Sequence, residues 1–137
     1  MKPHHYDSSL IIPYLNARLG ITPKDGKAAE KNRLAKKFMA GTHVPARISV
    51  ATYAEVTRHF QSNPEVREIL ACLKAPLALH TRHADRWGRL QNRSERVMGD
   101  NDAWNAALAI CESATLVGSD HAFENRPDLD YVDFMKA

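Results

Sequence analysis

The sequence predicts an α/β fold with a central, mostly parallel sheet flanked by helices. Three observations point to it. Short apolar stretches alternate along the chain with longer amphipathic ones, the order expected of repeated strand–helix units. Two of the longer stretches stop at Gly20 and Gly41, where a glycine can close a helix. The run Met98–Phe123 then joins a helix, a tight connection and a short strand, with a carboxylate where the strand ends. In open α/β sheets, the carboxyl ends of the strands are where ligands and metals collect.

That last run is the most informative part of the chain. Asn101 suits an N-cap, which puts Asp102 in the first helical turn, where free amides and the helix dipole favour a carboxylate. Trp104, Ala107, Leu108 and Cys111 follow at helical spacing and predict a buried stripe. Ala114–Val117 is short, apolar and partly β-branched, hence a buried strand. Gly118-Ser119-Asp120 breaks it and leaves Asp120 at its carboxyl end.

Earlier in the chain, Asp7-Ser8-Ser9 precedes a helix over Leu10–Leu19 that a serine can cap, with Pro13 tolerated in its first turn. Ile21–Gly26 reads as a loop. Lys27–Ala40 predicts a second helix, with Leu34, Ala35, Phe38 and Met39 on one side and lysines on the other. Arg47–Val50 predicts a strand, and Thr52 opens a helix through Phe60 with Tyr53, Val56 and Phe60 as its apolar seam. Pro64 starts a helix reaching about Leu73, and Leu77–Leu79 predicts another short strand. Thr81 can cap a long helix to Val97. Along it Arg82, Arg86, Arg89, Arg93 and Arg96 share one face, and Gly88 costs ~1 kcal/mol against alanine. Asp128–Phe134 predicts a final edge strand.

The 137 residues suit one domain, and 44% hydrophobic with 26% charged content is ordinary for a globular protein, which argues against disordered and fibrous classes. The longest apolar run, Leu10–Leu15, is interrupted by Pro13 and Tyr14 and is far too short to span a membrane. No apolar segment follows Met1–His5, so no signal peptide is expected and a cytoplasmic setting is. Cys72 and Cys111 lack metal-type spacing and are expected to be buried and reduced. A net charge of +3 is compatible with a polyanionic partner but does not establish one.

The pattern N-D-A-W-x-A-A-x-A, then L-V-x-x-D-x-x-F, then R-P-D-L-D-Y-V, resembles the C-terminal half of a PIN domain. Within that superfamily it is most similar to the VapC-type toxin ribonucleases of toxin–antitoxin pairs. The resemblance implies a three-layer PIN-like fold over residues 1–137, with Lys2–Tyr6 as its first strand, although Pro3, His4 and His5 suit a strand poorly. It also implies an acidic site of Asp7, Glu55, Asp102 and Asp120, with Asp7, Asp102 and Asp120 as ligands of Mg²⁺ or Mn²⁺. Asp7-Ser8 matches the family's acid-plus-hydroxyl pair at the first strand-to-helix junction, and Ser8 and Ser119 become groups that orient water. Such a cluster suits phosphodiester hydrolysis. Hard divalent ions prefer oxygen ligands, make a nucleophile of water and offset the charge growing on phosphate. Without an ion, the four charges raise one another's pKa values.

The resemblance further implies an RNA substrate, a homodimer, and an antitoxin that covers the apolar groove between the early helices and blocks the site with a basic side chain. Tyr14, Leu15, Phe38, Met39, Tyr53 and Phe60 supply more apolar surface there than one small sheet needs. Arg82, Arg86 and Arg89 are read as contacts to the RNA backbone, or alternatively as a solvated helix face. Two positions depart from the family. Asn105 stands where an apolar residue is usual, and Gly118 where a hydroxyl is usual.

Each acid also has an explanation without metal. Asp7 and Asp102 suit helix starts, Glu55 completes a capping box with Thr52, and Asp120 suits a turn cap. Asp100 is a possible fifth acid at the rim. His80, His83 and Asp85 have a metal-like spacing but lack the further ligand that zinc needs. The rival to a ribonuclease is a catalytically weakened PIN scaffold kept for binding a partner or nucleic acid.

Overall fold

A computed structural model describes residues 2–73, 75–93 and 97–137. Its sheet has four parallel strands in the order β2-β1-β3-β4, with β1 at His4–Tyr6, β2 at Ala46–Arg47, β3 at Thr115–Gly118 and β4 at Tyr131–Asp133. Between them run α1 (Ser8–Arg18), α2 (Gly26–Gly41), α3 (Val50–His59), α4 (Pro64–Leu70), α5 (Thr81–Arg93) and α6 (Asp100–Cys111), and a 3₁₀ turn at His121–Phe123 precedes β4.

The layers follow from strand alternation. On one face, Tyr6 and Val117 pack with Leu10, Ile11 and Leu15 of α1, Ala35 of α2, Val56 of α3 and Val66 and Leu70 of α4. On the other, Leu116 packs with Ala103, Ala106 and Ala109 of α6, while Trp87 and Leu90 of α5 close over them. This is the three-layer arrangement expected. Alanines on α6 let it lie close to the sheet, and its buried set is Ala103 and Asn105–Ala109. The predicted stripe is therefore only half right: Ala107 and Leu108 are buried, but Trp104 faces Trp87 and Cys111 is half-buried.

The strand that composition argued against most strongly, β1, is central. Pro3 lies just outside it, and its carbonyl accepts from Thr115 N at 2.9 Å, so the missing N–H costs nothing. His5 is buried between neighbouring strands, and that burial pushes its pKa down to about 4. It enters the sheet as a neutral ring, and His4 stacks on Phe38 of α2.

Several helices begin earlier than expected. Asp7, not a serine, caps α1 by accepting from Ser9 N. Ser49, not Thr52, caps α3, so the expected strand shrinks to Ala46–Arg47. Gly99, with no side chain to offer, precedes α6 where Asn101 was expected. Helix α5 starts at Thr81 itself, and His83 in its first turn reaches back to accept from His80 N at 3.0 Å. Gly20 ends α1 at φ +66°, a conformation that favours glycine.

Other expectations also shift. Leu77–Leu79 reduces to a single bridge from Leu77 to Ser49, and α4 stops at Leu70. Leu15 is fully buried and adds nothing to the surface. Both cysteines are free thiols, but Cys72 is exposed rather than buried. No helix among the described residues is long and apolar enough to cross a membrane.

Candidate acidic site

Four different elements deliver the four carboxylates to the carboxyl edge of the sheet. Asp7 follows β1 and is tied to β3, its N–H donating to Val117 O at 2.9 Å. Asp120 stands two residues past β3, Asp102 in the first turn of α6, and Glu55 in the middle of α3.

Asp7 is only 2% exposed and has three donors. Its Oδ2 accepts from Ser9 N at 3.1 Å and Ser9 Oγ at 2.6 Å, and its Oδ1 accepts from Asn105 Nδ2 at 2.8 Å. Asp120 caps the 3₁₀ turn, accepting from Ala122 N at 2.9 Å, while Tyr131 donates its hydroxyl to the Asp120 carbonyl at 3.3 Å. The capping explanations for these two acids are thus real.

They fail for the other two. With Ser49 as the cap, Glu55 lies well inside α3 and completes no capping box. Ser8 Oγ donates to its Oε2 at 3.3 Å. Burial, and then the Asp7 charge, push the Glu55 carboxyl above the usual range, against hydrogen bonds from Ser8 and Asn101. The N-cap of α6 is Gly99, which offers no side-chain bond, and Asp102 lies in the first turn. Its carboxyl is pushed up to about 7, first by burial, then by the charges of Asp7 and Asp120, by a hydrogen bond with Asp120, and by Glu55. A helix amino terminus should stabilise this anion. The neighbouring charges and the loss of water outweigh it.

The two departures from the family pattern turn out to be complementary parts of the site. A Cβ at Gly118 would stand 2.7 Å from Ser9 Oγ and 3.1 Å from Asp7 Cβ, so a larger residue there cannot fit without movement. The Ser9 hydroxyl fills that space, donating to Asp7 and accepting from Ser119 N at 3.0 Å. Asn105 is 4% exposed. Its Nδ2 donates to Asp7 and to Thr52 Oγ1 at 2.9 Å, and its Oδ1 accepts from Ser49 Oγ at 2.6 Å.

The donors fit a hard divalent ion, being carboxylates and hydroxyls throughout. Ser119 Oγ is buried with no hydrogen-bond partner among the described residues, as suits a hydroxyl that serves a ligand or its water. No three His, Cys, Asp or Glu side chains among the described residues are gathered tightly enough to hold an ion directly. The fit is therefore to an ion that keeps waters of its own and is reached by one or two carboxylates, as Mg²⁺ and Mn²⁺ commonly are.

No protein-family model and no curated protein matches this sequence. Solved structures do match the fold. A chain of a toxin–antitoxin complex from Klebsiella pneumoniae superposes with a TM-score of 0.73 at 18% identity, covering 96% of this chain and 97% of that one. A chain of VapBC2 from Rickettsia felis, in a complex bound to a promoter DNA fragment, gives 0.69 at 18% identity over 94% and 96%. One of VapBC-1 from nontypeable Haemophilus influenzae gives 0.67 at 20% identity over 96% and 97%. The fold is PIN-like.

At these identities the likeness is one of architecture alone. The arginines of α5 are not equivalent. Arg82 donates to Glu112 at 2.5 Å and Arg86 lies 3.9 Å from Asp128, whereas Arg89 is exposed. Arg82 also sits beside the far end of α6, about 15 Å of helix from Asp102. Arg96 and the side chain of Arg93 lie outside the described residues.

His83 is fully buried, with Nδ1 accepting from His80 N and Nε2 3.0 Å from Glu112 Oε1. Both nitrogens are thus engaged in holding the start of α5, which accounts for the metal-like spacing without an ion. Asp85 and Asp100 are exposed. Between α1, α2 and α4 lies an apolar groove of about 300 Å³, lined by Ile11, Tyr14, Met39, Ile69, Leu70 and Leu73.

Sequence reasoning missed Ser9, Asn101 and the Ser49–Thr52 pair as parts of the site. Ser9 had one legible signal, a hydroxyl two residues after Asp7. Gly118, its spatial counterpart, gives none until the strands are paired.

Proposed function

We propose that residues 1–137 form one metal-dependent endoribonuclease domain, the toxin of a toxin–antitoxin pair, acting on RNA in the cytoplasm. One observation carries the reading. Four carboxylates from separate elements meet where their charges oppose one another, and burial together with the neighbouring carboxylates pushes Asp102 and Glu55 above the usual range. Such crowding is unfavourable by itself and is relieved by a cation.

Asp7, Asp102 and Asp120 would hold Mg²⁺ or Mn²⁺ between them, one or two directly and the rest through its waters, with Glu55 close by. When bound, the ion supplies positive charge for the phosphoryl oxygens and makes water a stronger nucleophile. The chain's own groups do the rest. Glu55, its affinity for protons raised by burial, takes a proton from water as the water oxygen bonds to phosphorus and the bond to the leaving nucleotide oxygen breaks. Ser8 orients Glu55, and Ser119 stands ready to orient water. Arg89, with Arg86 and Arg82 further along α5, holds RNA through its phosphates.

An antitoxin fits the groove between α1, α2 and α4, where Tyr14 and Met39 leave apolar surface part-exposed. The solved complexes that share this fold support such a partner, and a homodimer remains part of the reading.

A non-catalytic scaffold is favoured by one observation, the three donors that already engage Asp7. Incubation with single-stranded RNA separates the two. A nuclease cleaves it only with Mn²⁺ or Mg²⁺ present, and Asp102→Asn does not. A wild type that binds RNA without cutting it under any divalent ion is the scaffold.

A further inference from the structure

Asn105 is a buried amide whose hydrogen-bonding groups are all engaged, and its orientation is not free. Turning the amide over would set its oxygen against the Asp7 carboxylate, an acceptor facing an acceptor. Asp7, which can only accept, therefore sets the orientation, and Ser49 donates to the amide oxygen on the other side. Ser49 also caps α3 through Thr52 N at 3.0 Å, so one connected network runs from the cap of α3, across α6, to the end of β1. These are the elements that carry Glu55, Asp102 and Asp7.

The network also restricts what Asp7 can do. A carboxylate oxygen accepts about two hydrogen bonds or ligand bonds. Ser9 N and Ser9 Oγ occupy Oδ2, and Asn105 occupies one place on Oδ1. One position remains, on Oδ1. Its direction is set by the amide beside it, because the carboxylate cannot rotate without giving up a charge-assisted hydrogen bond.

We propose that Asn105 is a positioning residue for Asp7, aiming one carboxylate oxygen at the ion and restricting Asp7 to a single ligand bond. This rests on the metal-site reading above, and Asn105 itself touches neither ion nor RNA. Groups that hold a metal ligand in this way typically change metal affinity by about 10–100-fold when removed.

The test is Mn²⁺ affinity of the full chain, followed by electron paramagnetic resonance at a temperature where every variant is folded. Asn105→Leu removes the donor and keeps similar bulk, and should weaken Mn²⁺ binding about tenfold. Ser49→Ala leaves the amide in place but loosened, and should weaken binding by less. A merely structural Asn105 predicts a lower melting temperature with the affinity of the folded protein unchanged. Unchanged or tighter binding in Asn105→Leu overturns the proposal. If that variant does not fold, wild-type affinity in Ser49→Ala overturns it. Asp102→Asn separates the two levels. Loss of Mn²⁺ binding there, with Asn105→Leu unaffected, removes only the role of Asn105. A wild type with no saturable Mn²⁺ binding removes both.

Discussion

Helix α6 carries an acid at each end, and the two are held in opposite ways. At its amino end Asp102 meets Asp7, Asp120 and Glu55, and its carboxyl is pushed up to about 7. At its carboxyl end Glu112 meets Arg82 and His83, whose hydrogen bonds hold its carboxyl below the usual range. Helix dipole alone predicts the reverse, since anions are favoured at the amino end and disfavoured at the other. The neighbours decide. One end of the helix is finished within the protein, with donors matched to acceptors. The other concentrates negative charge that Arg58, acting on Glu55, offsets only in part, and this is the difference between a structural cluster and a site made for something else.

Substitutions at the two ends should therefore separate activity from stability. Asp120→Asn keeps a side-chain oxygen for Ala122 N and removes one charge, so cleavage should fall roughly a hundredfold or more while the melt changes little. Glu112→Ala should do the opposite. It leaves the buried Nε2 of His83 without its acceptor, costing about 1–3 kcal/mol in denaturant unfolding, while cleavage at low temperature persists. Cleavage lost in both, or kept in both, would erase the distinction between the ends.

A smaller effect sharpens it along α5. Arg89→Gln should flatten the salt dependence of RNA binding by about one phosphate contact, a slope change of roughly 0.7 for a single strand. Arg82→Gln should flatten it less, because Glu112 already engages that guanidinium. Equal slopes in filter-binding titrations of the two variants would mean that Glu112 does not compete with RNA.

The sequence made the acidic end legible and concealed much of what supports it. The unit of α6, β3 and Asp120 could be read because its apolar spacing, short strand and breaking residues lie within one continuous stretch. Helix starts were harder. Ser8, Thr52 and Asn101 are all acceptable caps, and each stands one to three residues after the true cap. Only tertiary contacts choose between such neighbours, and the choice mattered, since moving the cap to Ser49 removed the structural explanation for Glu55.

Strand β1 was underrated because its histidines are polar when exposed and tolerable once buried neutral between partners distant in sequence. The bond from Asn105 to Asp7 joins residues 98 apart, and no local pattern announces it. Asn105 and Gly118 looked like defects along the chain; in space each meets a group that suits it.

The central claim is that Asp7, Asp102 and Asp120 are brought together to share a cation. Thermal melts of the wild type and Asp102→Asn, each with and without Mn²⁺, test it most directly. Among the described residues no hydrogen bond joins the Asp102 side chain to a free helix amide, so the asparagine should cost little helix stability, and it removes a charge opposed by its neighbours. The account predicts that Mn²⁺ raises the melting temperature of the wild type alone, and that metal-free Asp102→Asn melts at or above the metal-free wild type. A variant that melts lower by a cap-sized ~1 kcal/mol, with no metal effect in either protein, would contradict it.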